Sequence, residues 1–333
     1  MSVLYITEQG ACISKTGDRI VVEKDGKELL ELQCHKLQSV VIFGNVQITT
    51  QAMRKLLEHE IETAFLTVGG ELLGQLTPVT PKNVALRVNQ VRRFDDPVFT
   101  LDVAKSIVQA KIANALVLLL EFQRNHPEVD IREPVQSLRT AVDRVPEARS
   151  CEALLGVEGT AAGVYWQAFA MMCRGDMTFT QRVKRPPTDP VNSMLSFGYS
   201  LVFARIQSLL DAVGLDPYIG FFHQPHYGRP SLAADLVEEF RSPLVDRFTL
   251  SLVNKRMLSP DDFEPHEESG GVRFTRDGMR KYFPKFEEYL GRKLSGSDDP
   301  ELDFNGLLRR QAGRVASSIN TGEPYIPLRM TMT

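Results

Sequence analysis

The feature that most constrains this 333-residue chain is a change in the spacing of its apolar residues near residue 80. Before that point apolar and polar residues alternate or form short apolar runs, as in LYIT (4–7), RIVVEKDGKELLELQ (19–33), SVVIFGNVQIT (39–49) and TAFLTVGGELLGQL (63–76). Such a pattern belongs to strands, whose successive side chains face opposite sides. Turn pairs Asp25-Gly26, Gly44-Asn45 and Gly69-Gly70 separate the runs. One helix is expected among them, Thr50 to Glu60, capped by Thr49 or Thr50, with Met53, Leu56 and Leu57 on one side. TPVTPKN (77–83) then brings two prolines and a single apolar residue, Val79.

Beyond it the apolar residues recur every three or four positions. Val103, Ile107, Ala110, Ala113, Leu116 and Leu120 mark a helix over 101–124 that is apolar on most sides. Further helices are expected over 133–145, 152–174 and 190–211, the last started by Asp189-Pro190. Another runs over 231–254, bent by Pro243, and two more follow before an extended end, GEPYIPLRMTMT. The fold class is therefore α+β. A small, sandwich-like N-terminal β domain (1–78) and a linker (79–86) precede a larger all-α domain (87–333).

Composition excludes several classes. The longest aliphatic run, Ala115 to Leu120, is far short of a membrane span. MSVLYITEQG has neither a basic region nor a hydrophobic signal core. Cys12, Cys34, Cys151 and Cys173 never form CxxC, which fits buried thiols in a reducing cytoplasm. The net charge of −3 resides in residues 1–80, with seven Lys/Arg against ten Asp/Glu. Two tracts beyond are basic: PKNVALRVNQVRR (81–93), with four cations and no acid, and RVKRPP (182–187), with three. Charge alone makes these ordinary surface runs. No GxxxxGK[ST], GxGxxG after a strand, HExxH or GxSxG occurs, which argues against the chemistries those motifs serve.

The stretch GFFHQPHYGRPSLAADLVEEFR (220–241) remains. His223 follows an apolar run, His226 comes three residues later, and Ser231 can cap a helix carrying Asp235, Glu238 and Glu239. A histidine nitrogen with carboxylate oxygens suits Mg²⁺ or Mn²⁺. From spacing alone, the wet face of an amphipathic helix is the better reading. Glu158 shifts the balance, because an acid among apolar and small residues is unfavourable unless paired or metal-bound. Gly156 and Gly159 beside it are costly in a helix unless a ligand or another backbone must come close.

LLGVEGTAAGVYW, VKRPPTDPVNSMLSFGYSLV and LDPYIGFFHQPHYGRPSLAADLVEEFRSPLVD resemble, in order, the hallmark segments of the CRISPR-associated integrases of spacer acquisition, the Cas-one family. The resemblance covers essentially the whole chain. It implies that Glu158, His223 and Glu238 are metal ligands, the last an Asp in some members, and that Asp235 is a further acid used near the metal. It implies a Mg²⁺- or Mn²⁺-dependent endonuclease and integrase, in which the 3′-OH of a short DNA attacks a phosphodiester of a CRISPR repeat. Arg87, Arg92, Arg93, Arg182, Lys184 and Arg185 become candidates for phosphate contacts with double-stranded DNA. Tyr165, seven residues after Glu158, and His226 are possible substrate neighbours. The implied partners are a second copy, paired through the β domains, and the small protein Cas two, with no membrane. Two alternatives stand beside this reading: a non-catalytic DNA-binding scaffold, and a zinc hydrolase built on His223 and His226.

Overall fold

The computed structural model describes residues 2–78, 83–267, 270–294 and 296–332. The chain divides into two compact units, Met1–Thr80 with Met279–Phe283, and Pro81–Gly278 with Pro284–Thr333.

The first unit holds eight strands: β1 (Ser2–Ile6), β2 (Cys12–Thr16), β3 (Arg19–Lys24), β4 (Lys27–Gln33), β5 (Leu37–Phe43), β6 (Gln47–Ile48), β7 (Glu62–Leu66) and β8 (Leu72–Leu76). They form two sheets, ordered β1-β5-β7-β8 and β4-β3-β2-β6. Asp25-Gly26 makes the β3–β4 hairpin, both residues taking positive φ, as a tight turn between right-twisted strands demands. Gly44-Asn45 instead carries the chain from β5 in one sheet to β6 in the other. β5 and β7 are parallel, so their connection must cross over, and it contains helix α1 (Thr50–Glu58). Thr49 caps α1 by accepting from the Ala52 amide at 3.2 Å. Leu4 and Ile6 of β1, Ile13 and Ile20 of the second sheet, Val40 and Ile42 of β5, and Leu56 of α1 share one apolar core. The sandwich-like expectation holds because alternation buries one face of each sheet against that core.

The second unit is mostly helical. α2 (Val84–Phe94) begins inside the expected linker, whose residues 79–82 lie outside the described ones. The sequence pattern conceals α2 because Val84, Val88 and Val91 lie on its outer side, 66%, 42% and 46% exposed. α3 (Pro97–Asn125) is capped by Asp96 and forms the unit's central rod. By length and composition α3 could cross a membrane, contrary to expectation, but most of its apolar window is buried inside the unit. α4 (Arg132–Arg144), α5 (Cys151–Met172) and α6 (Pro190–Val213) follow, and α6 ends at Gly214 in the left-handed region. α7 (Ser231–Phe240) runs into one π-helical turn (Arg241–Asp246) and then α8 (Arg247–Asn254). The expected bend at Pro243 is this wide turn, which relieves the clash a proline makes in a regular helix. A two-stranded hairpin, β9 (Phe263–His266) with β10 (Gly271–Phe274), interrupts the expected all-helical run. Its four-residue strands, one containing Pro265, are too short for alternation to reveal. α9 (Arg276–Leu290) and α10 (Phe304–Thr321) precede an extended tail.

That tail is tied into the core. Asn114, buried on α3, donates to the carbonyls of Glu239 and Leu328 at 2.9 and 3.0 Å and accepts from the Met330 amide at 2.8 Å. Glu239, fully buried on α7, accepts from Tyr325 Oη at 2.5 Å, Gln311 Nε2 at 2.9 Å and the Leu328 amide at 2.7 Å. Burial pushes its carboxyl up to about 7, because these neutral donors only partly offset desolvation. The ordinary value is 4.5, so the stability this group contributes is full below pH 4.5 and is lost as pH rises through about 7. Thermal melts between pH 5 and 8 should show the wild type losing stability across that window relative to Glu239→Gln. Parallel curves for the two proteins would contradict this assignment.

Candidate metal centre

Two acidic side chains of the second unit meet at α3, and a histidine backed by a third acid leads into the helix that carries one of them. Glu158 projects from the middle of α5, Glu238 from the last turn of α7, and His223 from the segment leading into α7. Lys111 of α3 places its ammonium between the two glutamates: it pairs with Glu158 Oε1 and lies 2.5 Å from Glu238 Oε2. Arg241 Nε approaches the same Glu238 oxygen at 3.3 Å. Neither that oxygen nor Arg241 Nε makes a well-directed hydrogen bond, although both are buried. Burial alone would raise the Glu238 carboxyl, yet Arg241, Lys111 and His223 outweigh it and hold the group down at about 2. The carboxylate is ionised throughout the working range.

His223 is oriented from below by Asp235. The buried Asp235 carboxylate accepts from the amides of Phe221 (2.7 Å), Phe222 (3.0 Å) and His223 (2.8 Å), and from His223 Nδ1 at 2.8 Å. This carboxylate–imidazole bond fixes the ring and turns its other nitrogen toward a ligand. The cradle depends on Gly220, where a Cβ would meet Asp235 Oδ2 at 2.8 Å and the Ser231 carbonyl carbon at 2.6 Å. Both Asp235 oxygens are thus engaged, by the backbone and by the imidazole, an arrangement compatible with the further acid near the metal that the resemblance implies.

The donor chemistry fits a hard divalent cation: two carboxylates that already share one cation, Lys111, and a carboxylate-backed imidazole. The three donors do not lie within 4.8 Å of one another. Among the described residues the set that does is Asp18, Cys34 and His59 in the first unit, where Asp18 already pairs with Lys55 at 2.5 Å and His59 at 3.2 Å. His226 does not join His223. It sits in an exposed turn with Nδ1 3.2 Å from the Tyr227 carbonyl, which removes the geometry a two-histidine zinc site needs.

The remaining candidates divide. Tyr165 is buried and donates to Asp246 at 2.6 Å; Tyr199, from α6, donates to the same carboxylate. Arg182 is likewise committed inward, to the Val183 carbonyl (2.7 Å), Asn192 (2.8 Å) and Ser196 (2.9 Å). Arg93 stacks on Phe99, 5.1 Å from the ring centroid, and donates to the Ile319 carbonyl at the end of α10. Lys184, Arg185 and Arg92 are exposed and Arg87 is half-buried. Lys184 shares a cavity of about 70 Å³ with Lys111, Glu158, Tyr165, Arg241 and Asp246. Among the described residues, and apart from their own helix and chain neighbours, a Cβ on Gly156 or Gly159 would touch nothing within 4 Å, so the close neighbour expected there is not seen. Sequence reasoning missed Lys111 and Arg241. Lys111 did leave a weak signal, a cation midway along a helix whose buried residues are mostly apolar.

Replacing Asp235 by Asn should free the His223 ring and lower Mn²⁺ affinity by about 10- to 100-fold. Isothermal titration checks this, and an unchanged affinity would mean that Asp235 does not act through His223.

Residues 4–288 match the family model described as CRISPR associated protein Cas1. A Cas1 endonuclease of Thermus thermophilus is 36% identical over 296 residues, covering 88% of this chain and 86% of the relative. A Cas4 exonuclease/Cas1 endonuclease fusion of Geobacter sulfurreducens is 35% identical over 300 residues, and this chain spans 53% of its length. Among solved structures, a casposase bound to its integration product is similar at a TM-score of 0.87 and 25% identity, covering 98% of this chain and 93% of that one. The chain is a member of the CRISPR-associated Cas1 endonuclease family.

Proposed function

We propose that this chain cleaves and joins DNA at the Glu158–His223–Glu238 centre, inserting short DNA fragments into a CRISPR array by attack of a 3′-OH on a phosphodiester. The observation that carries the reading is the convergence of Glu158 and Glu238, from separate helices, on a single cationic position. Mg²⁺ or Mn²⁺ held by these two carboxylates and His223 would polarise the scissile phosphate and favour an attacking hydroxyl or water. The protein's own share is positional. Asp235 holds the imidazole in one orientation. Arg241 and Lys111 keep Glu238 ionised although it is buried. Of the candidate cations, exposed Lys184, Arg185 and Arg92, with half-buried Arg87, are available to phosphates, which they would bind without reading bases. His226, exposed three residues beyond His223, is available to the same strand. No protein nucleophile is needed. The assembly we propose is a homodimer paired through the N-terminal β units, two such dimers being bridged by Cas two.

Glu158→Ala, His223→Ala and Glu238→Ala should each lower Mn²⁺-dependent strand transfer and cleavage of duplex DNA by at least about 100-fold. Circular dichroism and melting should show the fold intact. Undiminished activity in all three variants would overturn the catalytic reading and favour a DNA-binding scaffold whose chemistry belongs to a partner.

A further inference from the structure

Lys111 sits where two ligands of the proposed centre converge. Its ammonium touches both Glu158 and Glu238, and its side chain is as buried as that of Glu158, each 18% exposed. A lysine held this way is charge-matched. Two carboxylates are balanced by Lys111 and Arg241, so the cluster of four is neutral. A divalent cation added to that cluster would leave two positive charges in a poorly solvated place, which is unfavourable. Relief comes if the ammonium withdraws or an anionic phosphate enters. Of the two cations Lys111 is the one able to withdraw. Arg241 is pinned over the Tyr199 ring, 4.3 Å from its centroid, in the π-helical turn. Lys111 ends a flexible four-carbon stem beside the cavity it shares with Lys184.

We propose that Lys111 is a built-in competitor of the metal, a tethered cation that claims the same carboxylate oxygens and must be displaced for the ion to load. The proposal rests on the metal-centre reading above. It has two consequences. The glutamates stay paired, and α5 and α7 stay tied to α3 through Lys111, whatever the supply of divalent ions. Metal loading is also favoured when a phosphate is at hand to take up the released ammonium, so the centre would be charged most readily with DNA in place.

The test is equilibrium Mn²⁺ binding, followed by electron paramagnetic resonance and calorimetry on the full chain without DNA, together with melting in EDTA and in Mn²⁺. Lys111→Met should bind Mn²⁺ about tenfold more tightly than the wild type. It should melt lower than the wild type in EDTA and regain the difference in Mn²⁺. Lys111→Arg, which keeps the charge, should bind as the wild type does and guards against a packing defect in the methionine variant. Equal or weaker binding by Lys111→Met, with Glu158→Ala and Glu238→Ala still abolishing binding, would overturn the competitor role and leave the metal centre standing. Wild-type binding unaffected by Glu158→Ala and Glu238→Ala would overturn both.

Discussion

A carboxylate inside a helical protein is tolerated only where something takes the place of water, and twelve residues here bury four of them. Asp235, Glu238, Glu239 and Asp246 are all at most 7% exposed, on α7 and the π-helical turn that continues it. Each is compensated differently. Asp235 receives three backbone amides and an imidazole, Glu238 two cations, Glu239 a tyrosine, a glutamine and an amide, and Asp246 two tyrosines. These partners come from α3, α5, α6, α10 and the extended tail. Satisfying one short acidic segment therefore fixes the arrangement of most of the helical unit around it.

The kind of compensation decides what each acid can do. Glu238 and Glu239 are neighbours in sequence and both buried, yet their carboxyls move in opposite directions, to about 2 and about 7. Cations favour the ionised form, whereas neutral donors do not make up for lost solvation. Glu238 is consequently a fixed negative charge held between two cations, and Glu239 an anchor that ties the tail to α7. Asp235 spends all its capacity on the backbone and on His223, which makes it an orienting group. The family model ends at residue 288, but the helix that presents Glu238 is also secured from beyond that limit, through Gln311, Tyr325 and Leu328.

Part of the site was readable before any coordinates. Glu158 stood out as an acid in an apolar, small-residue context, whereas His223 and Glu238 were singled out by the resemblance and not by spacing. The cap expected from Ser231 is not made, since that residue is already the first of α7, after Pro230. What spacing could not reveal was which acids share a partner. Asp235, Glu238 and Glu239 lie within one turn and a half, and helical periodicity treats them alike. The basic tracts show the same limit. Arg93 and Arg182 look as available as Arg92 and Arg185 in sequence, but a helix end and the start of α6 claim them.

The sequence by itself determined the α+β class and the change from sheet to helix near residue 80. It also determined most helix starts, because period and capping are local properties written into neighbouring residues. Even there it failed where the local signal was weak, at α2 with its outward valines and at the short β9–β10 hairpin. The tertiary structure alone decided that Glu158 and Glu238 converge on Lys111, that Asp235 backs His223, and that Tyr165 faces Asp246. These are meetings between residues 12 to 127 positions apart in the chain, and they follow from which buried charge is nearest once the chain has packed, a quantity that no local pattern contains.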